Sequence, residues 1–157
     1  MEKNSLPLRV GVGAIVINKE NKIFVGKRKD HPNNNWQMPQ GGVNDGENLL
    51  SALRRELEEE TSIKSIKILK ELDDWTEYEL PNYLLGKIWK GKYRGQKQKW
   101  YIFKFLGKNN EINIKTKNPE FLDWKWIEPS ILPDVAVNFK VNLYKRLKEE
   151  LNSLNLN

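Results

Sequence analysis

Three glutamates dominate the stretch that reads Arg55-Glu56-Leu57-Glu58-Glu59-Glu60. An α-helix turns about 100° per residue, so with Glu56 at zero, Glu59 falls about 60° to one side and Glu60 about 40° to the other. The three carboxylates thus share one stripe within a single turn. Leu49, Leu50, Leu53 and Leu57 cluster at about 75° on the same wheel and mark its buried face. Glu58 falls on the far side, toward water. A stripe of anions flanking a buried face is partly desolvated, and such groups repel one another and take up protons. Taken alone, the run reads first as a solvated acidic face, the usual fate of glutamates; the alternative is a divalent cation that relieves the repulsion. Hard oxygen donors in a chain without cysteine favour Mg²⁺ or Mn²⁺.

The residues around the stripe carry a longer pattern. Gly41 is followed six positions on by Glu47 and eight further on by Arg55. Together with Glu56, Leu57, Glu59, Glu60 and Ile63, this spacing resembles the Nudix box. The chain departs from the box at Ser62, where the pattern has glycine for a left-handed helix end. That change makes the turn less favourable but removes no ligand. The resemblance implies hydrolysis of a phosphoanhydride in a nucleoside diphosphate linked to another moiety. It implies that Glu56, Glu59 and Glu60 hold the cation, with the backbone carbonyl of Gln40 as a further ligand. Glu56 is the candidate for orienting or deprotonating the attacking water. Glu47 and Arg55 are expected to pair and brace the loop after Gly41 against the helix, with Arg55 orienting ligands rather than reacting.

Three further segments, WQMPQGG at 36–42, GQKQKWY at 95–101 and NPEFLDWKW at 118–126, resemble the bacterial branch that acts on RNA 5′ ends and dinucleoside polyphosphates. In that branch a glutamate of a Pro-Glu-Phe motif supplies a late metal ligand, here Glu120. Arg9 and Arg28 match its basic positions at the substrate mouth. Tyr78 and Phe139 are candidates for base contact, or equally for core packing. Residues 80–110 hold eight Lys or Arg and no acid. Aromatic side chains interleave with these cations, which suits a nucleotide 5′ end. Lys97 and Lys99, two apart in a strand, are expected to point together toward the active site. The implied partner is a 5′-polyphosphorylated RNA or a dinucleoside polyphosphate. Two alternatives are a hydrolase of free nucleoside triphosphates and a non-catalytic nucleotide- or RNA-binding module. The full set of carboxylates argues against the module. His31, the only histidine, reads as a structural loop residue. Gly11 and Gly13 lack the third glycine and helix of a dinucleotide fingerprint.

Several elements must position these groups. Residues 9–17 read as a buried strand that forms a hairpin with a second strand at 23–27, followed by a loop at 29–35. Asp45 falls near the start of a helix over 49–60. Strands are expected at 66–72, 83–89, 98–106 and 123–127, and an amphipathic helix from about residue 134 closes the chain. Without strict βαβ alternation the class is α+β, or mixed α/β. The Nudix resemblance sharpens it to a mixed β-sheet sandwiched between α-helices. The 157 residues suffice for one domain spanning 1–157. The net charge of +6 favours polyanionic partners. No cysteine, no apolar leader in the opening residues and no membrane-length apolar run together predict a cytoplasmic protein.

Overall fold

The computed structural model describes residues 5–29 and 35–154; His31 lies outside them. The architecture grows from one apolar strand, β1 (Leu8–Ile17), which is buried from Gly11 onward. It pairs in parallel with β7 (Gly95–Phe105), in register from Leu8 opposite Gly95 to Ile17 opposite Lys104. The other edge of β1 takes β4 (Gln40–Gly42) and the start of β2 (Ile23–Arg28), both antiparallel. Beyond β2 lie β3 (Trp36–Gln37) and β8 (Phe121–Ile127). Beyond β7 lie β5 (Ile66–Glu71) and β6 (Thr76–Glu79).

Strand alternation sends successive side chains to opposite faces, and each face has its own helix. Val12, Ala14, Val16, Phe24 and Phe103 pack under α1 (Leu49–Thr61) through Ala52, Leu53 and Leu57. Ile15, Ile17, Val25, Trp100 and Ile102 pack under α3 (Val141–Asn152) through Leu143, Tyr144 and Leu147, with Leu132 of the short α2 (Leu132–Val135). The mixed sheet is therefore sandwiched between helices, as expected.

Two expected elements differ. Residues 83–89 form turns and a short 3₁₀ segment rather than a strand. Gly86 and two consecutive left-handed residues, Trp89 (φ 51°) and Lys90 (φ 57°), break any extended path there. The strand in this region is β6, which starts earlier and alternates buried Thr76 and Tyr78 with exposed Glu77 and Glu79. The closing helix begins at Val141, because extended backbone at Ala136 and Val137 separates it from α2. No helix among the described residues is long and apolar enough to cross a membrane.

Candidate active site

Helix α1 presents the acidic stripe because its ends and its buried leucines fix its rotation. Asn48 caps the N-terminus, its side chain accepting from the N–H groups of Leu50 (3.0 Å) and Ser51 (3.2 Å). Such a cap is worth about 1 kcal/mol. Asp45, the expected partner of the helix dipole, instead lies exposed in the preceding turn. Ser62 takes the left-handed C-terminal conformation (φ 65°) that usually favours glycine. Its hydroxyl donates to the carbonyl of Asn113 at 2.9 Å. With Leu53 and Leu57 seated in the core, Glu60 is buried, Glu56 is half-buried, and Glu58 and Glu59 are exposed. The stripe is thus graded: Glu59 stands in water, unlike the other two.

Arg55 ties the stripe to the preceding loop. Its Nε and Nη2 donate to the two oxygens of Glu47 at 2.9 and 3.0 Å, and Nη2 also donates to the Gly42 carbonyl at 3.2 Å. This forked geometry is the strong form of an arginine–carboxylate pair. Arg55 and the backbone N–H of Asn44 hold the Glu47 carboxyl down at about 2. Nη1 reaches Glu56 at 2.8 Å and Glu59 at 3.4 Å. The expected Glu47–Arg55 brace is present, and Arg55 additionally orients Glu56. Gly41 makes room for this arrangement. A Cβ placed there would stand 2.2 Å from the Glu56 carboxyl carbon, so any other residue displaces that carboxylate.

Burial pushes Glu60 well above the ordinary carboxylate range, and the neighbouring charges of Glu56, Glu120 and Glu59 push the same way. Burial also raises Glu56, against the pull of Arg55. Oε2 of Glu60 is buried with no hydrogen-bond partner. An orphaned buried carboxylate oxygen among other hard oxygens is what a divalent cation satisfies, so the donor set fits one. Among the described residues, no three acidic side chains converge with ligand geometry. Arg55 engages Glu56 and Glu59, and Arg28 lies 3.5 Å from Glu120. Gln40 lines the same site, with its side-chain oxygen accepting from Gln98 at 2.9 Å.

A cavity of about 730 Å³ opens from this cluster. Its walls carry the charged groups of Arg9, Arg28, Glu56, Glu60 and Glu120 together with Tyr78, Leu84, Trp89, Phe139 and Lys140. The Tyr78 and Phe139 rings lie 5.8 Å apart, and the Tyr78 hydroxyl accepts from Gln96 at 2.7 Å. Tyr78 therefore belongs to the core and to the cavity wall at once. On the outer side of Glu56, Glu60 and Glu120, a second cleft of about 750 Å³ is lined by Arg55, Glu59, Thr116 and Lys117.

The structure does not bring Lys97 and Lys99 to the cavity. They do point together, as expected, but alternation along β7 gives the cavity side to Gln96 and Gln98. Both amines stand over Trp75, at 5.4 and 6.0 Å from its ring centroid, and Lys99 also donates to the Asp73 carbonyl at 2.8 Å. Lys140 is absent from the sequence reading. Lys140, only 5% exposed, lies over the Tyr78 ring at 5.3 Å; its lone signal was adjacency to Phe139. On sequence Trp89 falls both in the expected strand at 83–89 and among the aromatics that interleave with the cations of 80–110; nothing local announces its left-handed backbone.

The family description "NUDIX domain" matches residues 7–147. An RNA pyrophosphohydrolase of Pelagibacter ubique is 59% identical over 152 residues, covering 97% of this chain and 96% of that one. One from Orientia tsutsugamushi is 44% identical over 147 residues, covering 94% and 91%. Among solved structures, the E. coli dihydroneopterin triphosphate pyrophosphohydrolase superposes with a TM-score of 0.71 at 17% identity, covering 92% of this chain and 99% of that one. A C. elegans Ap4A hydrolase does so at 0.64 and 18%, with the same coverage. These two structural likenesses speak for the fold alone. The full-length match, the near relatives and a glutamate helix braced through Arg55 to Glu47 agree: the chain belongs to the Nudix family of hydrolases.

Proposed function

We propose that the protein hydrolyses a phosphoanhydride bond at the 5′-polyphosphorylated end of RNA, with Mg²⁺ or Mn²⁺ as cofactor. The carrying observation is the buried, unpartnered Glu60 oxygen, beside Glu56, at the junction of two cavities of unlike chemistry. Glu56, Glu59, Glu60, Glu120 and the Gln40 carbonyl would hold the cation. When bound, the cation neutralises charge growing on phosphoryl oxygens and makes a bound water more acidic.

The chain's own groups do the rest. Glu56, half-buried and oriented by Arg55, accepts the proton of the attacking water. Arg9 and Arg28, which line the same cavity as Glu56, Glu60 and Glu120, take the non-bridging phosphate oxygens. Tyr78 and Phe139 accept the first nucleoside on their ring faces, with the Lys140 amine above them. The full-length relatives named RNA pyrophosphohydrolase favour an RNA end over the other polyphosphates. The deciding experiment compares one purified sample, with saturating Mg²⁺, on 5′-triphosphorylated RNA, diadenosine tetraphosphate and free nucleoside triphosphates. The highest kcat/KM is expected on RNA. A clear preference for the dinucleotide or the free triphosphates would move the assignment to that substrate.

A further inference from the structure

The excursion between β6 and β7 carries one aromatic side chain in an unusual setting. Trp89 has φ of 51°, and Lys90 and Gly91 continue the left-handed path at 57° and 72°. A bulky residue is seldom found with positive φ, and such conformations persist only where the surroundings impose them. Here the N–H of Gly91 donates to Ile88 and that of Lys92 to Trp89, at 3.0 and 3.2 Å. The excursion closes where the Leu80 N–H donates to Arg94 and the Arg94 N–H donates to Pro7, two residues before Arg9.

The indole so held meets Arg9. The guanidinium carbon stands 5.2 Å from the Trp89 ring centroid, and Tyr93 packs edge-on against the same indole at 6.2 Å. On its other sides Arg9 donates to Gln96 at 3.4 Å and lies against Gly42, where a Cβ would come within 2.3 Å of Nη2. Arg9 is thus threaded through a slot made of an indole face, a bare backbone and one amide oxygen. Arg9 lines the same cavity as Glu56 and Glu60.

We propose that Trp89 is a positioning residue that holds the Arg9 guanidinium in place for the substrate's phosphates. It acts through Arg9, by a cation–π contact and by walling the slot. This rests on the polyphosphate reading above, though not on RNA being the preferred substrate. A flexible arginine freed from the slot would have to be ordered afresh at each binding event, which weakens affinity.

A double-mutant cycle tests it, read by calorimetric binding of ATP without divalent metal and by kcat/KM on 5′-triphosphorylated RNA with it. Trp89→Leu should weaken ATP binding by about 3- to 30-fold, the span of a cation–π contact. Affinity should follow the ring series Trp89, Trp89→Tyr, Trp89→Phe, Trp89→Leu, which keeps the test open should the leucine variant fold poorly. In an Arg9→Ala background the same Trp89 substitutions should add less than about twofold. An equal penalty with and without Arg9, or no penalty in either, would overturn the proposal. Failure of the RNA reading looks different: wild-type protein would bind ATP yet leave 5′-triphosphorylated RNA intact.

Discussion

At the scale of single residues, the graded burial of the acidic stripe assigns unequal roles to like side chains. Glu56→Gln should lower turnover by about 10²- to 10⁴-fold, the usual contribution of a positioned base, at unchanged thermal stability. Near-normal turnover at saturating Mg²⁺ would remove Glu56 from the proton transfer. Glu58→Gln is its control: the side chain is exposed and reaches only Lys64 at 3.3 Å, so activity should hold. Glu60→Gln should separate metal from fold. Wild-type protein should gain about 2–3 kcal/mol of stability when Mg²⁺ exceeds its dissociation constant a hundredfold. The variant should lose most of that gain, measured by thermal unfolding with and without the ion. Glu120→Ala should lower activity across a Mg²⁺ titration with little change in stability without metal, since its partner Arg28 lies at the cavity surface. Glu56 and Glu60 were legible because the box fixes residue type and interval together, and Glu120 only through the Pro-Glu-Phe resemblance. Lys140 was not, because a buried amine is set by partners far away in the chain, here Tyr78 and Gln37.

Among the elements, α1 was readable nearly to the residue, since a leucine stripe and an acidic stripe at helical period agree. Its capping was not: Asp45 carries the charge, but Asn48 sits where the side-chain oxygen meets the free N–H groups. Asn48→Ala should therefore cost about 0.5–2 kcal/mol in urea unfolding, and Asp45→Ala almost nothing. Leu57→Ala, on the same helix, removes a side chain with no exposure and should cost about 2–5 kcal/mol. Activity should fall with it as the stripe loses its seat. The misread segment at 83–89 has an apolar and aromatic content that suits a strand. The true strand, β6, is half acidic. Its exposed face hid it, because an edge strand needs only alternate residues buried.

Across the whole molecule, charge is divided between a cavity and a remote face. Arg9 and Arg28 line the cavity, while Lys97 and Lys99 gather on the opposite side around Trp75. On the proposed function, a dinucleoside polyphosphate is expected to meet the first group only and a long RNA both. RNA affinity should fall more steeply with monovalent salt than dinucleotide affinity, and Lys97→Ala should flatten the slope for long RNA by about one charge. Equal slopes for the two ligands would mean that the protein grips the polyphosphate alone. The class, the sandwich and the acidic helix were visible in the sequence, but which face each lysine serves depends on a register that only the sheet fixes. That sheet is centred on the parallel union of β1 and β7, whose contacting residues Arg9 and Gln96 stand 87 positions apart. During synthesis, β1 leaves the ribosome long before its partner exists. Its apolar edge then waits as a ready template for other chains, and closing so long a loop is slow. The growing chain should accordingly depend on holding chaperones until β7 emerges, and refolding from urea should lose yield as protein concentration rises, with light scattering appearing in step.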